Sequence, residues 1–181
     1  MLDPKAVLHH LVTTAPFRLE ALPRDHGMYA LHDHNGDIRY VGITKKDDYG
    51  FYGRIMNRHT SGSEGRSHKF SHAYNTARMF RVKKDNRPDA LEAKALRNAF
   101  ARKYCRASFL PIGTAFHSNL MQLEKAVQDL APPSMMAWGN KRSFVPVAEP
   151  TELLDALMDE LQYTAGQRAA VERQAVLWNN Q

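Results

Sequence analysis

The sequence predicts an α+β fold: a small central antiparallel sheet of about three strands, opened by a β-hairpin and flanked by helices. Three observations carry this. Short apolar runs at 28–32 and 38–43 are separated by Asn35-Gly36. Such a pair between strand-like runs is a strong hairpin signal, because both residues accept the positive φ of a type I′ turn. Apolar residues recur at helical spacing over 89–104 and 118–131. Helices and strands do not alternate regularly, which argues for α+β rather than a parallel α/β sheet.

In chain order, 4–13 reads as a short helix with Pro4 tolerated in its first turn. Residues 15–24 hold two prolines and read as a connection. After the hairpin, a loop at 45–50 leads into a helix at 52–59. The stretch 60–69 is polar and Gly/Ser-rich, and 77–83 fits a strand. A helix at 89–104, a strand at 107–113 and a helix at 118–131 follow, the last stopped by Pro132-Pro133. Residues 151–162 and 167–178 read as two helices of an acidic tail. The expected organisation is an N-terminal helical extension (1–22), a central domain (23–145) and a C-terminal helical extension (146–181).

Charge is uneven along the chain. Residues 39–106 hold 17 Lys and Arg against 6 Asp and Glu, whereas both flanks are mildly acidic. A basic middle points to a polyanionic partner, because each neutralised phosphate releases condensed counterions. The single cysteine, Cys105, excludes an intrachain disulfide and a Cys-rich zinc site. No apolar run resembles a leader peptide or reaches the roughly 18 residues of a membrane span. A cytoplasmic protein without a membrane partner is expected.

If Asn35 and Gly36 form a two-residue loop, Tyr40 lies opposite Leu31 and Tyr29 opposite Gly42. Alternation then places Tyr29, Leu31, Tyr40 and Gly42 on one face, and Met28, Ala30, Val41 and Ile43 on an apolar core face. The two phenols become diagonal neighbours beside a glycine.

The tripeptides Gly27-Met28-Tyr29 and Tyr40-Val41-Gly42 resemble the paired signature of the GIY-YIG endonuclease superfamily, with Met and Val replacing Ile on the core face. The family's two segments are adjacent antiparallel strands roughly ten residues apart; here the tyrosines are eleven apart. The resemblance also implies an arginine on the first helix, with a histidine about one turn later. Arg54 takes the first role, with Arg58 as rival. His59 lies five positions on where four is usual, so a helix irregularity is needed to align them.

Two glutamates compete for a metal-binding role. Glu92, three residues after Asp89, sits where a helix-capping carboxylate belongs. Glu124 falls within the arc of Leu120, Leu123, Val127 and Ala131, where a carboxylate is costly unless paired or bound to a cation. The resemblance agrees with Glu124, since the family's glutamate lies on a helix ending near proline, with an asparagine some fifteen residues later. Pro132-Pro133 and Asn140 match.

What the resemblance implies is a DNA endonuclease dependent on Mg²⁺ or Mn²⁺. A tyrosine (Tyr29) would be its general base, Tyr40 would position water or phosphate, and Arg54 would stabilise the transition state. His59 would assist, and Glu124 would hold the metal. Lys45, Lys46, Arg58, Arg66, Lys69 and Asn140 are the expected DNA contacts. A homodimer is a further possibility, since one centre nicks one strand. The alternatives are a catalytically inactive nucleic-acid-binding module of the same fold, or an unrelated α+β protein that recruits a partner protein.

Overall fold

The computed structural model describes residues 2–112, 117–139 and 144–181. They form two compact units: Met1–Arg58 with Tyr104–Phe144, and His59–Lys103 with Val145–Gln181.

The first unit holds the sheet. Its helix α1 (Pro4–Thr13) is capped by the Asp3 carboxylate, which accepts from the Lys5 N–H. Four strands follow: β1 (Phe17–Arg18), β2 (Gly27–His32), β3 (Ile38–Ile43) and β4 (Arg106–Pro111). All pairings are antiparallel, in the order β1-β4-β2-β3. The expected α+β class with an antiparallel sheet is present, with one strand more than the three expected. The extra strand, β1, arises inside the segment read as a connection, between its two prolines. Conversely, 77–83 is not a strand. Ala77–Met79 is a 3₁₀ turn with Ala77 at φ +44°, a backbone conformation that no strand accommodates.

The hairpin corrects one expectation and keeps another. The turn is not a two-residue type I′ loop. The Asp33 carbonyl accepts from the Gly36 N–H (3.0 Å), and its N–H donates to the Asp37 carbonyl (2.9 Å). The loop therefore has three residues, and among them only Gly36, at φ +88°, is left-handed. The buried Asp33 carboxylate clamps it, accepting from the Asn35 and Asp37 N–H groups and from Arg39 Nε (2.7 Å). This shifts the pairing near the turn by one residue. A bulge between Leu31 and His32 shifts it back, so Tyr29 faces Gly42 and Leu31 faces Tyr40 after all.

Met28, Ala30 and Val41 then pack with Val7 and Leu11 of α1, and with Leu123 and Val127 of helix α5 (His117–Leu130). Burying each of the larger side chains, Val, Leu or Met, contributes about 1.5–3 kcal/mol. Val7 and Leu11, within the segment expected as an N-terminal extension, thus belong to this core. The sheet's other face carries Tyr29 and Phe109, with Phe51 packed against both rings at 6.5 and 5.0 Å. Phe51 lies in helix α2 (Gly50–Tyr52), which continues as a π-helix over Gly53–Thr60. A π-helix bonds residue i to i+5, so the helix is irregular between Arg54 and His59.

The second unit contains α3 (Lys69–Ala73), α4 (Pro88–Tyr104, all but its last residue), α6 (Thr151–Glu160) and α7 (Ala165–Asn179). The acidic tail is therefore built into this unit. Phe80 stacks on Trp178 and Tyr74 on Phe100, both at 5.3 Å. Inside, the Glu64 carboxylate meets Arg81 (3.1 Å) and Arg97 (2.8 Å), and all three are buried. Among the described residues, no helix is long and apolar enough to cross a membrane.

Candidate active cleft

An open cleft of about 520 Å³ in the first unit is lined by Tyr40, Ile43, Thr44, Lys45, Lys46, Arg54, Leu120, Met121 and Glu124. Strand β3, the loop after it, the π-helix and α5 each contribute. Residues up to 84 positions apart in the chain thus meet around one volume.

Tyr40 reaches the cleft because the double register shift returns it to the face opposite the aliphatic core. Its ring stands 6.3 Å from that of Tyr29, tilted by 50°. Gly42 is required beside them. A Cβ there would lie 2.5 Å from the Tyr40 ring and 3.0 Å from the Tyr29 hydroxyl.

Tyr29 does not line the cleft. It is fully buried, and its hydroxyl accepts from Arg54 Nε at 3.3 Å. Burial pushes its pKa well above the usual phenol value, with Tyr40 and Glu124 adding to the effect, and Arg54 does not offset them. Arg54 does favour the Tyr29 phenolate, but desolvation by burial outweighs it. Tyr40 is pushed up to about 12, by burial first and then by the Glu124 charge.

Arg54 and Arg58 are separated clearly. Only Arg54 lines the cleft, with a side chain 13% exposed against 51% for Arg58. Both are held by a residue that the sequence reading missed, Asp48. Its buried carboxylate lies 3.0 Å from Arg58 Nε and 3.7 Å from Arg54 Nε. It also accepts the Lys45 N–H at 2.6 Å, which fixes the loop carrying Lys45 and Lys46. A signal was present: Asp47-Asp48 is the one adjacent acidic pair in the basic middle.

Glu124 is half-buried on the cleft wall and accepts from Gln128 Nε2 (3.3 Å), which also donates to the Val41 carbonyl (2.9 Å). Glu92 lies in the other unit, and its expected capping role is corrected. Helix α4 starts at Pro88, with the Leu91 N–H already donating to the Arg87 carbonyl, so Glu92 falls beyond the capping turn. It accepts instead from Gln167 Nε2 at 3.2 Å.

His59 belongs to the second unit and is fully buried, its Nδ1 accepting the Lys69 N–H at 3.1 Å. Arg66 and Lys69 are also in the second unit, Arg66 exposed and Lys69 half-buried. Asn140 lies outside the described residues.

The cleft offers one carboxylate, one cleft-facing phenol, one held guanidinium and two exposed lysines. Among the described residues, no group of three or more His, Cys, Asp or Glu is placed to hold a metal ion. Glu124 as a lone hard oxygen fits a Mg²⁺ ion that keeps several waters and takes phosphate oxygens as well. No protein-family model, curated protein or solved structure matches the chain.

Proposed function

We propose that the cleft hydrolyses a DNA phosphodiester with one divalent cation, Mg²⁺ or Mn²⁺, bound through Glu124. The observation that carries this reading is the convergence of Tyr40, Arg54, Glu124, Lys45 and Lys46 around one open volume. It is joined to the sequence resemblance to GIY-YIG endonucleases.

The roles follow from exposure. Lys45 and Lys46 meet the flanking phosphates. Arg54, held between Tyr29 and Asp48, presents its remaining N–H groups to the scissile phosphate and offsets the charge that develops there. Tyr40 is the phenol that reaches the cleft; it orients the attacking water and, once it has given its own proton to solvent, takes the water's proton as the phenolate. Tyr29 keeps its own proton and positions Arg54. A divalent cation on Glu124 would supply Lewis-acid stabilisation of the phosphate oxygens. It would also turn the charge beside Tyr40 from negative to positive, reversing the second cause of its raised pKa.

The test is conversion of supercoiled plasmid to open circles. Nicking that requires Mg²⁺ or Mn²⁺, and disappears in Glu124→Ala with DNA affinity retained, is the expected result. DNA binding without cleavage, across several divalent metals and on plain and branched duplexes, would identify a non-catalytic binding module instead. No salt-dependent DNA affinity at all would remove nucleic acid from the reading and favour a protein partner.

A further inference from the structure

We infer that Tyr49, backed by Arg24, is a stacking platform for an unpaired nucleobase next to the cleft, which makes DNA with a locally unstacked base the preferred substrate class. This rests on the nucleic-acid reading above and deepens it.

Tyr49 is 60% exposed, an unusual setting for a ring that is so firmly held. The Arg24 guanidinium lies over it, 4.5 Å from the ring centroid, and Arg24 Nη1 donates to its hydroxyl at 2.8 Å. The backbone beneath is fixed from both sides. Before Tyr49, the Asp48 carboxylate is buried against Arg54, Arg58 and the Lys45 N–H. After it, the Phe51 and Tyr52 N–H groups donate to the Asp25 and Pro23 carbonyls, at 2.9 and 3.0 Å. Gly50 sits at φ +62° so close to Arg24 that a Cβ would lie 2.1 Å from its carbonyl oxygen. The backbone that carries the ring is thus fixed on both sides.

A rigid aromatic ring in water, with a guanidinium over it, matches what a base requires. Stacking on aromatic rings and on arginine needs no hydrogen-bond readout, so it is tolerant of sequence. A base within a duplex has both faces covered, so only an unpaired, extruded or end base can use the platform. The position fits as well. Tyr49 follows directly on the carboxylate that holds both arginines, and stands three residues after Lys46 at the cleft. Tyr49 is carried by the same loop as Lys45 and Lys46, so a strand with phosphates against these lysines runs along that loop.

The experiment uses the full chain without divalent metal. Two probes of one sequence, a single-stranded oligonucleotide and a fully paired duplex, each carry one 2-aminopurine. We expect the single strand to bind with quenched fluorescence. Tyr49→Ala should lose the quenching and bind the single strand about tenfold more weakly, the size of one base–aromatic stack. Tyr49→Phe should keep both, and duplex affinity should change less than twofold in either variant. An unchanged melting temperature shows that each exposed-site variant is folded. Wild-type affinity and quenching in Tyr49→Ala would overturn the platform while leaving the nuclease reading intact. Quenching that depends on Tyr49 in a protein that never cuts DNA would support the platform and overturn the catalytic part. No binding of either probe by the wild type would overturn both.

Discussion

Each unit contains one buried carboxylate shared by two arginines, and the two clusters do different work. Asp48 holds Arg54, which lines the cleft, and Arg58, which does not; their side chains are 13% and 51% exposed. Glu64 holds Arg81 and Arg97, which are 7% and 0% exposed. Burial alone raises the Glu64 carboxyl, but its backbone N–H, Arg97 and Arg81 more than offset this and hold it below the usual carboxylate range. Arg97 Nη1 also donates to the Met79 carbonyl at 3.0 Å and to Asn75. The guanidiniums of the second cluster are enclosed inside the fold, whereas the first pair keeps faces toward solvent.

The basic middle of the chain is therefore not one polyanion-binding surface. Arg81 and Arg97 are internal, and Arg78 is paired with Glu149 and Asp155 of the acidic tail. Lys103 pairs with Glu160 of the same tail. Two cations of the basic middle, Arg78 and Lys103, are thus paired with carboxylates of the C-terminal flank, which the running charge balance counted separately.

The largest effect that can break this comparison is on stability. Glu64→Gln leaves two buried guanidiniums without a counter-charge and should cost about 3–5 kcal/mol in urea unfolding. Asp48→Asn should cost only about 1–2 kcal/mol, because its arginines can rehydrate and an amide oxygen still accepts the Lys45 N–H. Equal costs would show that the clusters are not different in kind.

On catalysis, Arg54→Lys should lower the cleavage rate about a hundredfold, by losing the planar fork and its hold on Tyr29. Arg58→Lys should change the rate less than threefold, and Arg58→Ala should reduce the slope of DNA affinity against salt by about one phosphate contact. A reversed order in single-turnover assays would move the catalytic arginine to Arg58. Asp48→Asn should slow cleavage while tightening DNA binding, since it removes a negative charge but releases both guanidiniums. A purely structural Asp48 would weaken both.

The smallest effect is an alkaline one. In the folded chain Tyr40 holds its proton up to about 12, against an ordinary phenol value near 10. The group therefore favours folding below pH 10, and that contribution is lost as pH rises from 10 to 12. Tyr29 acts in the same direction. Tyr40→Phe should flatten, without abolishing, the fall in stability across that window. A curve as steep as the wild type's would mean that Tyr40 is not the buried phenol described.

The sequence by itself determined the sheet's two faces, because period-two alternation leaves a strand only one way to bury Met28, Ala30, Val41 and Ile43. It also singled out Tyr40, Arg54, Glu124, Lys45 and Lys46, now found together at the cleft. The turn, by contrast, was decided by Asp33, whose buried carboxylate stabilises a three-residue loop that no dipeptide rule contains. The bulge that cancels its offset is a property of the paired strands. Tertiary structure alone decided that Tyr29 is sealed and Tyr40 is not, that Arg54 rather than Arg58 meets the cleft, and that His59 is an internal acceptor. Periodicity reports which face a residue occupies, but exposure on that face depends on what packs over it. Here Phe51 packs against Tyr29, whereas Tyr40 lines the cleft.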